Sequence, residues 1–294
     1  MNFARRRFVA LLGSFTATAA ISSHALGAKP AGLSEPVHRV ATASPSKSAA
    51  EILATDPLEH ALDIAQRGLQ KCQSQVDDYT ALMVIRERVG GELGSHQYIA
   101  AKIRNRKISN GRIVQPLSVY LNFLKPSTVK GREVIYVEGK NNGNIIAHEG
   151  GLKGRYLPTV RVRPDSMLAM RGQRYPMTEI GVENLILKLI ERGEKAKTYP
   201  DVVCELRQNA RIKDRVCTVF ELTQPVKRPG SEFHQAQIFI DDTHNVPIRY
   251  IAYDWPRTDG ARPEIIEEYN YMNLKINVGL TDADFDPENS AYNF

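Results

Sequence analysis

The most enzyme-like pair of side chains in this sequence is His148-Glu149, in the run Ile145-Ile146-Ala147-His148-Glu149-Gly150-Gly151. An imidazole beside a carboxylate is the pairing used for general acid and base work. Neighbours on a strand point to opposite faces, so the two do not make a dyad by themselves, and the glycines behind them mark a turn. A structural role in that turn is the expectation. Glu267-Glu268 and the series Asp282, Asp284, Asp286 offer grouped carboxylates. The aspartate spacing has the look of a calcium loop, but the glycine and the distal glutamate that such a loop requires are missing. These acids are expected to be solvated turn carboxylates. Lys102, Arg104, Arg106, Lys107 and Arg112 form the densest basic run. The first three share one strand face, which would either meet anionic headgroups or guard a sheet edge against aggregation, and the edge role is preferred. The three cysteines, Cys72, Cys204 and Cys217, each fall in phase with apolar neighbours and form no Cys-x-x-Cys motif. Two of them could pair in an oxidising compartment, and the sequence does not choose which. His-Glu-x-x-His, Gly-x-Ser-x-Gly and phosphate-loop patterns are missing. The expectation is a protein that is not an enzyme, with no catalytic residues, no metal and no cofactor.

The elements that would position these residues are mostly strands. Asp56 and Pro57 open a helix as cap and first residue, and Leu58, Leu62, Ala65, Leu69 and Cys72 follow at steps of four and three on one face, to near Gln75. From Asp78 the period becomes two: Tyr79, Ala81, Met83 and Ile85 alternate with Thr80, Leu82, Val84 and Arg86, and Gly90-Gly91 supplies a turn. Further strands are expected over 96–106, 117–124, 133–137, 144–148 and 159–163, separated by Lys125-Pro126 and by glycine-rich turns. A second helix over 180–195 carries Val182, Leu185, Ile186, Leu189 and Ile190 on one side and Lys188, Glu191, Arg192 and Lys195 on the other, with Thr178 as its cap. Strands return over 202–212, 215–222, 233–241, 246–253 and 264–274, and the tail from Asn277 looks irregular. The fold class is therefore mainly β (α+β): a large curved antiparallel sheet, an unclosed half-barrel, with two or three helices covering its concave face. Several strands are apolar on both faces, so helices or a ligand must cover much of the second face.

The start of the chain sets the compartment. Arg5, Arg6 and Arg7 precede an apolar stretch from Phe8 to Ile21, followed by small residues with possible cleavage after Ala25 or Gly27. This is the pattern of a signal peptide over 1–27, too short and too rich in Ala and Thr for a membrane anchor. The arginines also fit a twin-arginine signal, and both export routes stay open. Residues 28–50, rich in Ala, Pro and Ser, read as a flexible linker, and 51–294 as one β domain with ample length for a core. The protein is expected to be exported, periplasmic or extracellular. Removing the three signal arginines takes the formal charge from +6 to about +3, too mild for nucleic acid as a partner and compatible with at most peripheral contact with anionic lipid.

Two stretches carry a family resemblance. SVYLNFLKPSTVKGREVIYVEGKNNGNIIAHEGG (Ser118 to Gly151), and FIDDTHNVPIRYIAYDWP with EEYNYMNLKINVGLTDADFDPENSAYNF behind it, together resemble an uncharacterised domain family of secreted bacterial proteins found largely in planctomycetes. More remotely, the leading helix, early hairpin, Pro-containing turn before Val134-Ile135-Tyr136-Val137-Glu138-Gly139, and late Ile240-Asp241, Pro247 and Ile248-Arg249 look like the LolA/LolB-type lipoprotein-carrier superfamily, shared by a regulatory protein that senses envelope stress. That resemblance implies an incomplete barrel, capped by helices, around an apolar cavity for acyl chains. The carrier family's functional arginine has no matching position here.

The expected function is thus a non-catalytic envelope protein that binds an acyl chain or another hydrophobic ligand in the half-barrel, with Leu82, Val84, Val119, Leu121, Phe123, Ile135, Val137, Phe220 and Phe239 as candidates for the ligand-binding wall. The alternative is an envelope sensor or scaffold of the same fold, dry inside, acting on a protein partner. A hydrolase built around His148 stands last.

Overall fold

The computed structural model describes residues 56–294. The signal peptide and linker expected over 1–50 lie outside the described residues.

Helix α1 (Pro57–Gln75) begins as its sequence dictates: the Asp56 carboxylate accepts the Leu58 N–H at 2.9 Å, and Pro57 sits where a missing N–H costs nothing. Its buried face, Leu58, Leu62 and Cys72, keeps the four-and-three spacing. Strand β1 (Asp78–Val89) follows, then β2 (Glu92–Leu93), β3 (Gln97–Arg104), a small hairpin of β4 (Lys107–Ser109) and β5 (Arg112–Gln115), β6 (Ser118–Lys125), β7 (Glu133–Val137), β8 (Ile145–His148), the single turn α2 (Gly151–Gly154) and β9 (Val160–Val162). Helix α3 (Val182–Ala196) precedes β10 (Val203–Ile212), β11 (Arg215–Thr223), β12 (Gln235–Asp241), β13 (Val246–Tyr253) and β14 (Ile265–Ile276).

All strands except β4 and β5 join one antiparallel sheet in the order β10-β11-β12-β13-β14-β1-β3-β6-β7-β8-β9, with β2 beside β1. The two ends, β10 and β9, are not paired with each other, so the sheet stays open. The first and last strands meet in its middle, Tyr79 opposite Ile276 and Glu87 opposite Glu267. Helices α1 and α3 bury Leu62, Cys72, Leu185 and Ile186 in one apolar core with the inner sheet residues Met83, Ile99, Val119 and Leu121. The fold is the expected mainly β, unclosed half-barrel with helices over one face.

Two expectations need correction, and two open alternatives resolve. Thr178 does not cap α3: Gly181, at φ 112°, holds the cap position without a side-chain bond, and the Val182 N–H donates instead to the Tyr79 hydroxyl at 2.8 Å. The three cysteines form no disulfide; each thiol is pushed up to about 12, chiefly by burial. Lys102 and Arg104 guard no edge, because β3 lies between β1 and β6; only Lys107 and Arg112, on the separate β4-β5 hairpin, stand on edge strands. Nor are its first four members free for headgroups: Lys102 pairs with Asp284 at 2.7 Å, Arg104 with Asp282 at 2.6 Å, Arg106 with Glu138 at 2.6 Å and Lys107 with Asp77 at 3.3 Å.

Those pairs reveal the tail's role. Asp282, exposed as expected, and Asp284, half-buried against expectation, anchor the C-terminal segment across the outer face of β6 and β7. There Phe285, Tyr292 and Phe294 pack on Tyr120, Ile135 and Val137, and the Tyr292 ring stacks on Tyr120 with centroids 4.0 Å apart. The protein's own tail covers that second apolar row.

Candidate functional site

The inner face of the sheet is not completely filled. Strand alternation and register place Ile99 opposite Phe123 and Leu121 opposite Val134, and with Ile85, Ile145 and Val160 they form one wall of a cavity of about 380 Å³. Ile180, Leu185 and Lys188 from α3 and its approach form the roof. The rim is the segment between β9 and α3 together with the turn before β9, contributing Leu157, Pro158, Pro164, Leu168 and Arg171. Close-packed interiors leave few voids larger than a water molecule, and ligand pockets begin near ~300 Å³. A second, smaller hollow of about 60 Å³ lies between α1 and the strands beyond β14, lined by Leu62, Phe220 and Ile238 among others.

One end of the larger cavity is polar. Glu267, on β14 and 2% exposed, accepts from Arg174 Nε at 3.0 Å, from the Tyr175 hydroxyl at 2.8 Å and from Arg192 at 3.2 Å. Arg192 also donates to the hydroxyls of Tyr250 at 2.9 Å and Tyr175 at 2.8 Å. Next to this group the Tyr269 hydroxyl donates to Glu87, whose other oxygen accepts the Arg174 backbone N–H at 2.9 Å. Burial pushes the Glu87 carboxyl up, against the hydrogen bonds from Tyr269 and Arg174. Burial likewise raises the Tyr269 hydroxyl, assisted by the charges of Glu267 and Glu87. For Arg192, burial acts to lower the guanidinium, but Tyr250, Glu267 and Tyr175 outweigh it and hold it protonated. Arg174 and Arg192 thus satisfy Glu87 and Glu267 at the cavity end, and Arg192 reaches a third acid, Glu232, at 2.7 Å, a closely paired polar cap on the chamber.

The nine expected wall residues divide. Leu121 and Phe123 line the large cavity and Phe220 the small hollow; Val119 sits one step along the same inner row, between Ile103 and Tyr136. The other five are corrections. Leu82 and Val84 belong to the outer row of β1, opposite Ala100 and Tyr98, because Tyr79, Ala81, Met83 and Ile85 form the inner one. Ile135 and Val137 lie beneath the tail. Phe239 pairs with Arg249, whose guanidinium stands 5.0 Å from its ring centre, on the face away from Ile238. Both rows of these strands are apolar, so the pattern could not say which one faced the helices.

The remaining candidates resolve individually. His148 Nδ1 lies 3.1 Å from the Thr159 hydroxyl, while Glu149 is held by Arg132 at 2.8 Å, so the two serve different partners. Glu267 and Glu268 are buried rather than solvated and point to opposite faces: Glu268, 0% exposed, accepts from Arg249 at 3.0 Å. Among the described residues no cluster of three or more His, Cys, Asp or Glu could hold a metal ion. The polar cap itself was missed. Arg192 falls on the charged side of α3 by periodicity, yet its side chain is only 10% exposed. The available signal was Glu267, set in step with Tyr269 and Tyr271 along one face of β14.

Residues 76–294 match the model of a protein family described as of unknown function, DUF1571. No curated protein matches the chain. Among solved structures, a DUF1329 family protein from Desulfovibrio piger is similar at 15% identity over 79% of this chain and 98% of that one, with a TM-score of 0.38. A LolA superfamily protein from Nitrosomonas europaea is similar at 13% identity over 76% and 97%, with a TM-score of 0.30. The MucA/MucB complex of Pseudomonas aeruginosa contains a chain similar at 14% identity over 77% and 60%, with a TM-score of 0.42.

Proposed function

This chain belongs to the DUF1571 family, proteins of unknown function, and on that premise we propose that it is a non-catalytic, exported envelope protein that holds an acyl chain or another hydrophobic ligand between its sheet and its helices. The observation that carries this reading is the cavity of about 380 Å³ whose walls are Ile85, Ile99, Leu121, Phe123 and Val134. Apolar side chains that could have closed on one another are instead held apart, and burial of an apolar guest is the driving force such a chamber offers. The polar cap formed by Arg192, Glu267 and Tyr250 would meet the more polar end of an amphiphile. The separate engagements of His148 and Glu149 support a binding rather than a hydrolytic role. The hollow interior also favours a carrier over a scaffold that is dry inside.

Protein purified from cells that express the full chain is expected to release a co-purified amphiphile on organic extraction, seen by mass spectrometry, and to take up a fluorescent fatty acid once emptied. Finding neither would overturn the proposal.

A further inference from the structure

The segment from Gly151 to Gly172 exposes large apolar side chains to a degree unusual on a protein surface. Met167 is 91%, Tyr156 84% and Leu152 74% exposed, with Leu168 and Leu157 beside them. Scattered exposed apolar residues need no explanation, but a contiguous group marks a surface that meets something. The group is placed at the rim of the cavity: Leu157 and Leu168 line it, and Tyr156 and Met167 are their chain neighbours. The charge of the same segment is one-sided. Arg155, Arg161, Arg163 and Arg171 are exposed there, and the segment's single acid, Asp165, is taken by Arg163 at 2.8 Å.

We propose that this rim is a membrane-docking surface, which sets the mouth of the cavity against an anionic lipid leaflet. Exposed leucine, methionine and tyrosine side chains insert into the boundary between headgroups and acyl chains, and arginines around them are attracted to anionic headgroups. A few inserted side chains helped by charge attraction fall far short of the near-irreversible hold of a spanning helix, so the attachment is of the interfacial kind and sensitive to lipid composition. A second copy of this chain fits less well, because the rim would then oppose its own unneutralised arginines. The inference rests on the proposed chamber for the meaning of the docking, but not for its occurrence.

The test is sedimentation of the protein, purified from cells expressing the full chain, with vesicles of phosphatidylcholine alone or mixed with phosphatidylglycerol. Binding is expected to the mixed vesicles, weakening with added salt. The variant R155Q/R161Q/R171Q should lose about fivefold in partitioning for each arginine replaced. The variant L152S/Y156S/M167S should bind weakly at every salt concentration. None of Leu152, Tyr156 or Met167 lines the cavity, so this variant should take up a fluorescent fatty acid in solution like the wild type, and circular dichroism should show both variants folded. No binding of the wild type to mixed vesicles would overturn the proposal, as would equal binding by wild type and both variants. Self-association abolished by the serine substitutions, without vesicle binding, would overturn it in favour of an interface between copies. Vesicle binding as described, with no fatty-acid uptake by the wild type, would leave the docking standing and remove the hydrophobic-ligand reading alone.

Discussion

The ammonium of Lys102, in the third strand, lies 2.7 Å from the carboxylate of Asp284, 182 residues later in the chain. The same ammonium bonds the Tyr292 hydroxyl at 3.0 Å, so one lysine fastens the C-terminal segment at two points. Deleting residues 282–294 is expected to lower unfolding free energy by about 3 kcal/mol in urea titrations, since it uncovers Tyr120, Ile135 and Val137. Tail anchoring should also depend on pH. Burial acts to raise the Asp284 carboxyl, but the Lys102 hydrogen bond, the Thr281 N–H and the ammonium charge outweigh it and leave it below its ordinary value. The Arg104 hydrogen bond and charge lower Asp282 as well. A carboxyl depressed in the folded state stabilises above its unfolded pKa of about 4, and that contribution is lost as pH falls through the folded value. Stability of the intact chain should therefore fall more steeply on acidification below about pH 4 than that of K102M. Parallel acid-side curves for the two would refute the role given to this pair.

Filling the chamber should separate binding from folding. Leu121→Trp directs an indole from the cavity wall into free space. Unfolding should change by less than about 1.5 kcal/mol, because the added volume meets a void rather than packed neighbours. Uptake of a fluorescent fatty acid should drop at least about tenfold, equivalent to ~1.4 kcal/mol. The same substitution at Ile135, beneath the tail, should destabilise the fold and leave the uptake of the folded fraction unchanged.

The polar cap gives a prediction with a built-in control. Arg192→Met leaves Glu267 buried with Arg174 and Tyr175 as its remaining partners, and should cost about 3 kcal/mol. Pairing it with Glu267→Met removes the stranded charge and should recover much of that loss in thermal or urea unfolding. Equal losses in the single and double variants would show that the pair matters only as packing.

Burial pushes the thiols of Cys72, Cys204 and Cys217 up to about 12, so all three should resist iodoacetamide at neutral pH in the folded protein. Unfolding should make all three reactive, since the attacking species is the thiolate. Mass spectrometry counts the adducts. Rapid labelling of the native protein would show that these residues are not protected as described.

The strands were legible because turn chemistry and a period of two bound them closely: β7 and β13 fall on the spans read from the residues alone. The choice of face was not legible. On β1, Met83 and Val84 are equally apolar, and only the pairing with β3 and β14 decides which of them meets the helices. The tail was misread because it has no period of its own; its order comes from Lys102, Arg104 and Tyr120, all remote in sequence. Glu268 and Arg192 look like surface charges until the neighbours that bury them are known.

The meeting of the first and last strands bears on how the molecule can be made. Tyr79 needs Ile276 across from it, so neither half of the sheet can complete its central seam until β14 has emerged from the ribosome or the translocation pore. A nascent chain would show the raw edges of β1 and β13 until β14 is made, which is a standing risk of misassembly. Assembly of the central seam must wait for β14, and the segment that seals the outer face follows directly behind that strand.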